Sequence, residues 1–239
     1  MDYQIVNRHL LTDIDRNSMF GLMKENFSGV KRHDFDSDLQ QKDYVIILKS
    51  DGVLCGFSTF ALSRHIINGR PIRIAFSGDT IISKQNRNSI QLPVSFGILM
   101  NQIEKISDEP LYWMLISKGF RTYRFMPVYF KEFYPVFKRE TPFQEKSIMN
   151  YLGEKFFPER FSSATGIISS SGQAIRSSCE DLEVISKRDD PHIQFFDQRN
   201  RHWQKGDELL CLVRYSRQNL NPFIVKVLDR EEKKMVLQV

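Results

Sequence analysis

The spacing of hydrophobic positions changes repeatedly along the first 140 residues. Apolar residues recur every three or four positions where the pattern predicts helices, and every second position where it predicts strands. In chain order the predicted elements are a strand at 3–6, helices at 12–27 and 35–41, strands at 44–48, 53–62 and 72–82, a helix at 94–106, a strand at 110–117 and a helical turn from Pro127. The predicted order is therefore βααβββαβα.

Two short polar segments separate the central strands. Ser50-Asp51-Gly52 and Asn68-Gly69-Arg70-Pro71 have the composition of tight hairpin turns, in which asparagine, aspartate and glycine adopt the backbone conformations that such turns require. The three strands should therefore form an antiparallel meander.

The pattern is less regular after residue 140. It predicts a helix at 143–157, a strand at 164–168, a loop at 168–178, a helix at 191–203 and a strand at 208–215, whereas 221–229 fits either a helix or a strand. We divide the chain into a core at 1–139 and a C-terminal extension at 140–239. The extension should pack on the core and supply the last strands of its sheet.

Composition restricts the class of protein. Hydrophobic residues make up 41% and charged residues 26% of the 239 positions, which excludes disordered and fibrous chains. The chain lacks a signal-peptide pattern and any apolar run long enough for a membrane span, and its three cysteines are widely separated, so we expect a soluble cytoplasmic protein.

Charge and aromatic residues are concentrated in the same region. Residues 64–139 contain 12 Lys or Arg and only 5 Asp or Glu, and they account for the net charge of +5. Ten aromatic residues lie between Tyr112 and Phe137. This combination fits a core with a basic rim, an apolar pocket beside an anion site, or a nucleic-acid surface.

The element order resembles the GNAT superfamily of acyl-CoA-dependent N-acyltransferases over residues 3–139. In that family the fourth strand ends in D-x-x-V-x-P, and Asp79-Thr80-Ile81-Ile82-Ser83-Lys84 is similar to this segment. The resemblance implies an α/β fold with a mixed, mostly antiparallel sheet flanked by helices. It also implies an acyl thioester as co-substrate, an amine acceptor and no permanently bound cofactor.

The loop that follows departs from the family pattern R/Q-x-x-G-x-G/A. Arg87 matches, but Ile90 and Leu92 stand where the family has glycines that let backbone N–H groups surround a pyrophosphate. The resemblance assigns donor binding to this region, at Ile81, Ile82, Arg87, Asn88, Ser89, Ile90 and Gln91. Because the glycines are absent, we expect the pyrophosphate to contribute little.

A narrower resemblance runs through residues 76–80 and 112–135. These segments are similar to divergent bacterial GNAT-like acyltransferases that attach fatty acyl groups to Lys or ornithine side chains of ribosomal peptides. That similarity implies a medium-chain or long-chain acyl group and a peptide acceptor. An acyl carrier protein presents no adenosine diphosphate, so it would need no glycine-rich loop, and a basic face would suit an acidic carrier.

Four side chains are candidates for catalysis. Asp79, after Gly78, is a candidate base, or it caps the next loop or pairs with Arg87. The resemblance points to Tyr129 as the acid that protonates the leaving thiolate, with Tyr134 and Tyr123 as rivals, and to backbone N–H groups near Ile81 and Ile82 as oxyanion donors. Each tyrosine equally fits a place in the core.

The aromatic region supplies the candidates for substrate binding. They are Tyr112, Trp113, Phe120, Arg121, Tyr123 and Arg124. Lys118, Arg121 and Arg124 are spaced three apart, so they either share one face and bind phosphates or form a solvated face. We expect no metal site, because the five histidines never show ligand spacing. Two alternatives to an acyltransferase remain: a non-catalytic binding module and a nucleic-acid binder.

Overall fold

The computed structural model describes residues 1–86, 89–172, 174–175 and 189–236. Its main feature is an eight-stranded sheet in the order β1-β3-β4-β5-β6-β10-β8-β7. The strands of this sheet and of the small pair β2 and β9 are β1 Asp2–Asn7, β2 Phe27–Ser28, β3 Tyr44–Ser50, β4 Val53–Ile67, β5 Arg70–Ile82, β6 Leu111–Ser117, β7 Phe161–Ser162, β8 Ile167–Ile168, β9 Ala174–Ile175 and β10 Glu208–Tyr215. Among the described strands only β5 and β6 pair in parallel, and all other neighbours are antiparallel.

Helices cover both faces of the sheet. They are α1 Asp13–Asn26, α2 Arg32–Gln40, α3 Gln91–Glu104, α4 Phe120–Tyr123, α5 Phe125–Tyr129, α6 Phe143–Phe156, α7 Pro191–Arg199 and α8 Pro222–Val236. The larger hydrophobic cluster joins one face to α3, α5 and α8. On the other face, α1 and α2 pack over the β3 end and α6 packs over the centre. The predicted fold class, a mixed and mostly antiparallel sheet flanked by helices, is confirmed.

Local signals in the sequence explain several boundaries. The Thr12 side chain accepts a hydrogen bond from the Asp15 backbone and the Asp15 side chain accepts one from the Thr12 backbone, which forms the capping box that begins α1. Asp51, Gly52, Asn68 and Gly69 all have positive φ, as the two predicted hairpin turns require.

Other boundaries differ from the predicted ones. Helix α1 ends at Asn26, one residue before the predicted end at 27, because the chain enters β2 at Phe27. Helix α3 begins at Gln91 instead of Val94. The ambiguous stretch 221–229 lies in α8, whose apolar side packs against α3 through residues such as Leu228.

The C-terminal hundred residues complete the sheet. Strand β10 pairs with β6 from Leu209↔Ser117 to Tyr215↔Leu111, and β8 and β7 follow at the sheet edge. These residues therefore provide one side of the sheet beyond β6, including Glu208 at the start of β10. None of the described helices is long and apolar enough to span a membrane.

Candidate functional site between β5 and β6

The sheet opens between its two parallel strands. The β5 to β6 pairing runs from Arg73↔Leu111 to Ser77↔Leu115 and then stops. Beyond that point β5 pairs only with β4, and β6 pairs only with β10. The two strands therefore diverge and leave a wedge-shaped gap that starts at Ser77 and Leu115.

A cavity of about 450 Å³ fills one side of this gap. Its polar lining includes Ser89 and Arg121, and its apolar lining comes from β4, β5, β6, α3 and the helices that follow β6. The apolar lining residues are Phe27, Phe60, Ile81, Ile82, Leu92, Pro93, Phe96, Trp113, Leu115, Phe120, Phe125 and Trp203. A mostly apolar cavity with a few polar groups has the properties of a ligand-binding site.

A β-bulge lies at the edge of the gap. Ser77 pairs with Phe60 and Thr80 pairs with Ser58, so Gly78 and Asp79 together oppose Thr59. A side chain at Gly78 would come within 2.7 Å of the Thr59 hydroxyl and 3.0 Å of Lys42 Cε. Only glycine fits there, and the bulge places Asp79 between two residues that line the cavity, Ser77 and Thr80.

The carboxyl group of Asp79 is partly buried among other charges. Burial, followed by repulsion from Asp38 and Glu208, raises its pKa to about 6, although Lys118 and Lys42 oppose the shift. A carboxyl group with this pKa is largely ionised at neutral pH and accepts a proton more readily than an ordinary aspartate. These properties suit a general base.

Two ion pairs surround Asp79. Lys42 Nζ lies 2.7 Å from Asp38 Oδ1, and Lys118 Nζ lies 3.3 Å from Glu208 Oε1. Lys42 and Glu208 are both buried. Apart from the (i, i+4) spacing of Asp38 and Lys42, nothing in the sequence connects these residues with Glu208 or Asp79, because the three regions lie far apart in the chain.

The backbone of β5 presents one of the two expected oxyanion donors to the gap. The Ser83 N–H donates to the Cys55 carbonyl oxygen at 2.8 Å. Bonded and non-bonded pairs alternate along an antiparallel ladder, so the Ile81 pair with Phe57 is bonded and the Ile82 pair with Gly56 is not. The Ile82 N–H therefore faces away from β4 and toward the gap, whereas the Ile81 N–H belongs to the ladder.

The start of α3 offers few donors to a pyrophosphate. The Gln91 N–H donates to the Ser89 hydroxyl at 3.1 Å, the Val94 N–H donates to the Ile90 carbonyl, and Pro93 has no N–H. Ile90 has right-handed helical φ and ψ and a mostly exposed side chain. Ser89 lines the cavity, while Arg87 and Asn88 lie outside the described residues.

Four of the six predicted substrate-binding residues line the cavity: Trp113, Phe120, Arg121 and Arg124. Tyr112 packs in the cluster on the opposite face of the sheet. The Tyr123 hydroxyl donates to the Pro135 carbonyl at 2.9 Å within the core. Among the ten clustered aromatics only Phe137 has an exposed ring, so the cluster does not offer the stacking surface that a nucleic-acid binder needs.

The predicted basic face is divided among different partners. Lys118 pairs with Glu208, and Arg124 Nε lies 2.8 Å from Asp190 Oδ2. Arg121 lines the cavity and its guanidinium lies 5.6 Å from the Phe120 ring. These three side chains therefore do not form one phosphate-binding face.

The structure does not bring Tyr129 or Tyr134 to the cavity. Tyr129 is buried, packs on Phe96 and Phe125, and donates its hydroxyl hydrogen to the Pro93 carbonyl. Burial raises its pKa far above the usual range for tyrosine. Tyr134 packs in the cluster on the opposite face, with Arg139 over its ring.

We expect Tyr129→Phe to lower stability and to leave transfer rates nearly unchanged. The substitution leaves the buried Pro93 carbonyl without this donor, which costs about 1–3 kcal/mol. Denaturant unfolding and a rate series with thiol leaving groups of different pKa measure the two effects, and Tyr134→Phe is the matched control. A rate loss that grows with poorer leaving groups in Tyr129→Phe alone would instead identify Tyr129 as the acid.

Comparisons with known proteins give structural neighbours only. No family model and no curated protein matches the chain. A conserved protein of unknown function from Enterococcus faecalis V583, described as a probable N-acyltransferase, has 13% identity and a TM-score of 0.42 over 56% of this chain. A GCN5-related N-acetyltransferase from Kribbella flavida has 14% identity and a TM-score of 0.40 over 55% of this chain. This chain spans 33% and 34% of their lengths.

A third neighbour was solved with a ligand. It is a GNAT family N-acetyltransferase from Escherichia coli in complex with CoA. It has 12% identity and a TM-score of 0.36, and the match covers 49% of this chain and 64% of the neighbour's chain. At these values, what the chain does must be argued from its own residues.

Proposed function

We propose that this protein is an N-acyltransferase that moves an acyl group from a thioester to a primary amine by direct attack. The observation that carries the proposal is the gap between β5 and β6. It has an apolar cavity on one side and, at the bulge beside it, a partly buried carboxyl group whose pKa is raised to about 6. A thioester carbonyl at the gap would lie beside β5, the strand that carries both the bulge with Asp79 and the Ile82 N–H.

The chemistry needs three events at this point. The amine nitrogen bonds to the thioester carbonyl carbon, and its proton passes to the Asp79 carboxylate as the nitrogen becomes positively charged. The Ile82 N–H stabilises the oxyanion that forms. The carbon–sulfur bond then breaks, and the thiolate leaves and takes a proton from water or from Asp79.

The cavity lining supports a donor with an apolar acyl chain. Phe60, Phe96 and Leu115 line it deep in the gap, whereas Ser89, Arg121 and Thr122 provide polar groups. We propose that the acyl chain is of medium or long length, and that an acyl carrier protein serves as donor at least as well as coenzyme A. A Lys or ornithine side chain of a peptide is the proposed acceptor.

A direct assay tests the proposal. The protein is mixed with octanoyl-CoA and a lysine-containing peptide, free thiol is followed by absorbance, and the peptide mass is measured. We expect a mass increase of one octanoyl group, and a thermal shift with octanoyl-CoA that corresponds to about 2.7 kcal/mol at 100 times Kd. Binding without turnover across a panel of amines would favour the non-catalytic binding module instead.

A further inference from the structure

One side chain of the cavity lining lies where the gap between β5 and β6 has already closed. Trp113 lies on β6 opposite Ala75 of β5. The next pair on the same face of the sheet is Ser77↔Leu115, where the pairing of the two strands ends. It is buried and it lines the cavity. Its indole is therefore at the point where the gap ends and the continuous sheet begins.

The Trp113 ring is held in place from two sides. Its Nε1–H donates to the hydroxyl of Ser77, on the neighbouring strand β5, at 2.9 Å. Its ring lies 4.5 Å from the ring of Phe96 and 5.6 Å from that of Phe125, measured between centroids. The hydrogen bond and the tilted and edge-on contacts with the two phenylalanine rings leave the indole little freedom to move.

Behind Trp113 there is packed core. The Phe130 ring lies 5.7 Å from the Trp113 ring, is buried and does not line the cavity. Ala75, the residue paired with Trp113, has only a methyl side chain and is fully buried. The indole is thus a wall between the cavity and the interior formed by Phe130 and its neighbours.

We propose that Trp113 sets the longest acyl chain that this protein accepts, an inference that rests on the proposed function. A chain that enters the gap with its thioester at Ile82 extends along the apolar lining until it meets the indole. Each additional methylene is favourable while apolar surface remains to be covered. Once the chain reaches a side chain that cannot move, a longer chain is forced to bend back or to leave the cavity.

The test is a chain-length series with three variants. Acyl-CoA thioesters from C4 to C18 are titrated by calorimetry, without acceptor, into the wild type and into Trp113→Phe, Trp113→Ala and Trp203→Phe. Trp203→Phe is the matched control, since Trp203 also lines the cavity but packs on Phe120, away from the parallel strands. Circular dichroism and thermal unfolding establish that each variant is folded.

We expect the chain length of tightest binding to increase in the order wild type, Trp113→Phe, Trp113→Ala. The shift in Trp113→Ala should be roughly five methylenes, because a tryptophan side chain buries about 150–250 Å² and a methylene about 30 Å². If Trp113→Ala does not fold, the smaller shift in Trp113→Phe carries the test.

Two outcomes contradict the inference, and they are distinguishable. In the first outcome, the wild type has an acyl chain length of tightest binding that neither Trp113 variant changes, or that only Trp203→Phe changes. Trp113 then does not limit the chain length, while the proposed function stands. If no thioester of any length binds the wild type, both the inference and the proposed function fail.

Discussion

Asp79→Asn should lower kcat with an acyl thioester and a primary amine on the order of 10²-fold, which is the usual contribution of a positioned general base. An amide has nearly the shape of the carboxylate, but it cannot accept the amine proton. Donor binding should change little, because Asp79 is not one of the residues that line the cavity. Steady-state kinetics and calorimetry with the same donor measure the two effects.

The pH dependence provides a second measurement of the same role. With a pKa of about 6, Asp79 is protonated at pH 5 and ionised at pH 8. At saturating amine, the wild-type kcat should therefore rise through about pH 6 and level off above about pH 7. Asp38→Asn is the informative companion, since it removes a charge that raises the Asp79 pKa and should move the rise to lower pH.

Measurements of the free energy of unfolding separate a catalytic role of Asp79 from a structural one. Because the pKa of Asp79 is raised in the folded protein, ionisation favours the unfolded chain, and the free energy of unfolding should decrease between about pH 4 and pH 6. Asp79→Asn removes this penalty, so at pH 8 the variant should be no less stable than the wild type. A variant that loses activity only in proportion to a loss of folded protein would show that Asp79 is structural.

The order of elements in the first half of the chain could be predicted because the signals are local. Asp51-Gly52 and Asn68-Gly69 determine the two hairpins, and Thr12 with Asp15 caps α1. Asp79 could be selected as a candidate because the glycine before it signals a bulge. These features depend on residues that are neighbours in the chain.

The surroundings of the site could not be predicted in the same way. Lys42 reaches Gly78 from the end of α2, and Glu208 comes from β10, which the chain forms almost 130 residues after Asp79. The tyrosines show the same limit. A stripe of aromatic residues indicates burial, but only the packing of Tyr129 against α3 shows that its hydroxyl is directed to a backbone carbonyl and not to the cavity.

Donor affinity should depend on the acyl chain far more than on the nucleotide. At the start of α3, Pro93 has no N–H and the N–H groups of Gln91 and Val94 already have acceptors. A pyrophosphate would therefore find few of the donors that a helix N-terminus normally offers. In the apolar cavity, by contrast, each buried methylene stabilises the complex by up to about 0.8 kcal/mol, which is roughly a fourfold decrease in Kd.

Calorimetry with free coenzyme A and with its C2 and C8 thioesters measures this dependence. We expect weak binding of free coenzyme A, a Kd that falls steadily from C2 to C8, and S-octanoyl pantetheine about as tight as octanoyl-CoA. The pantetheine thioester is the matched control for the nucleotide, since it presents the same chain without adenosine diphosphate. Tight binding of free coenzyme A without any dependence on chain length would contradict both the long-chain donor and the carrier-protein donor, and would leave an acetyltransferase with an unusual loop before α3.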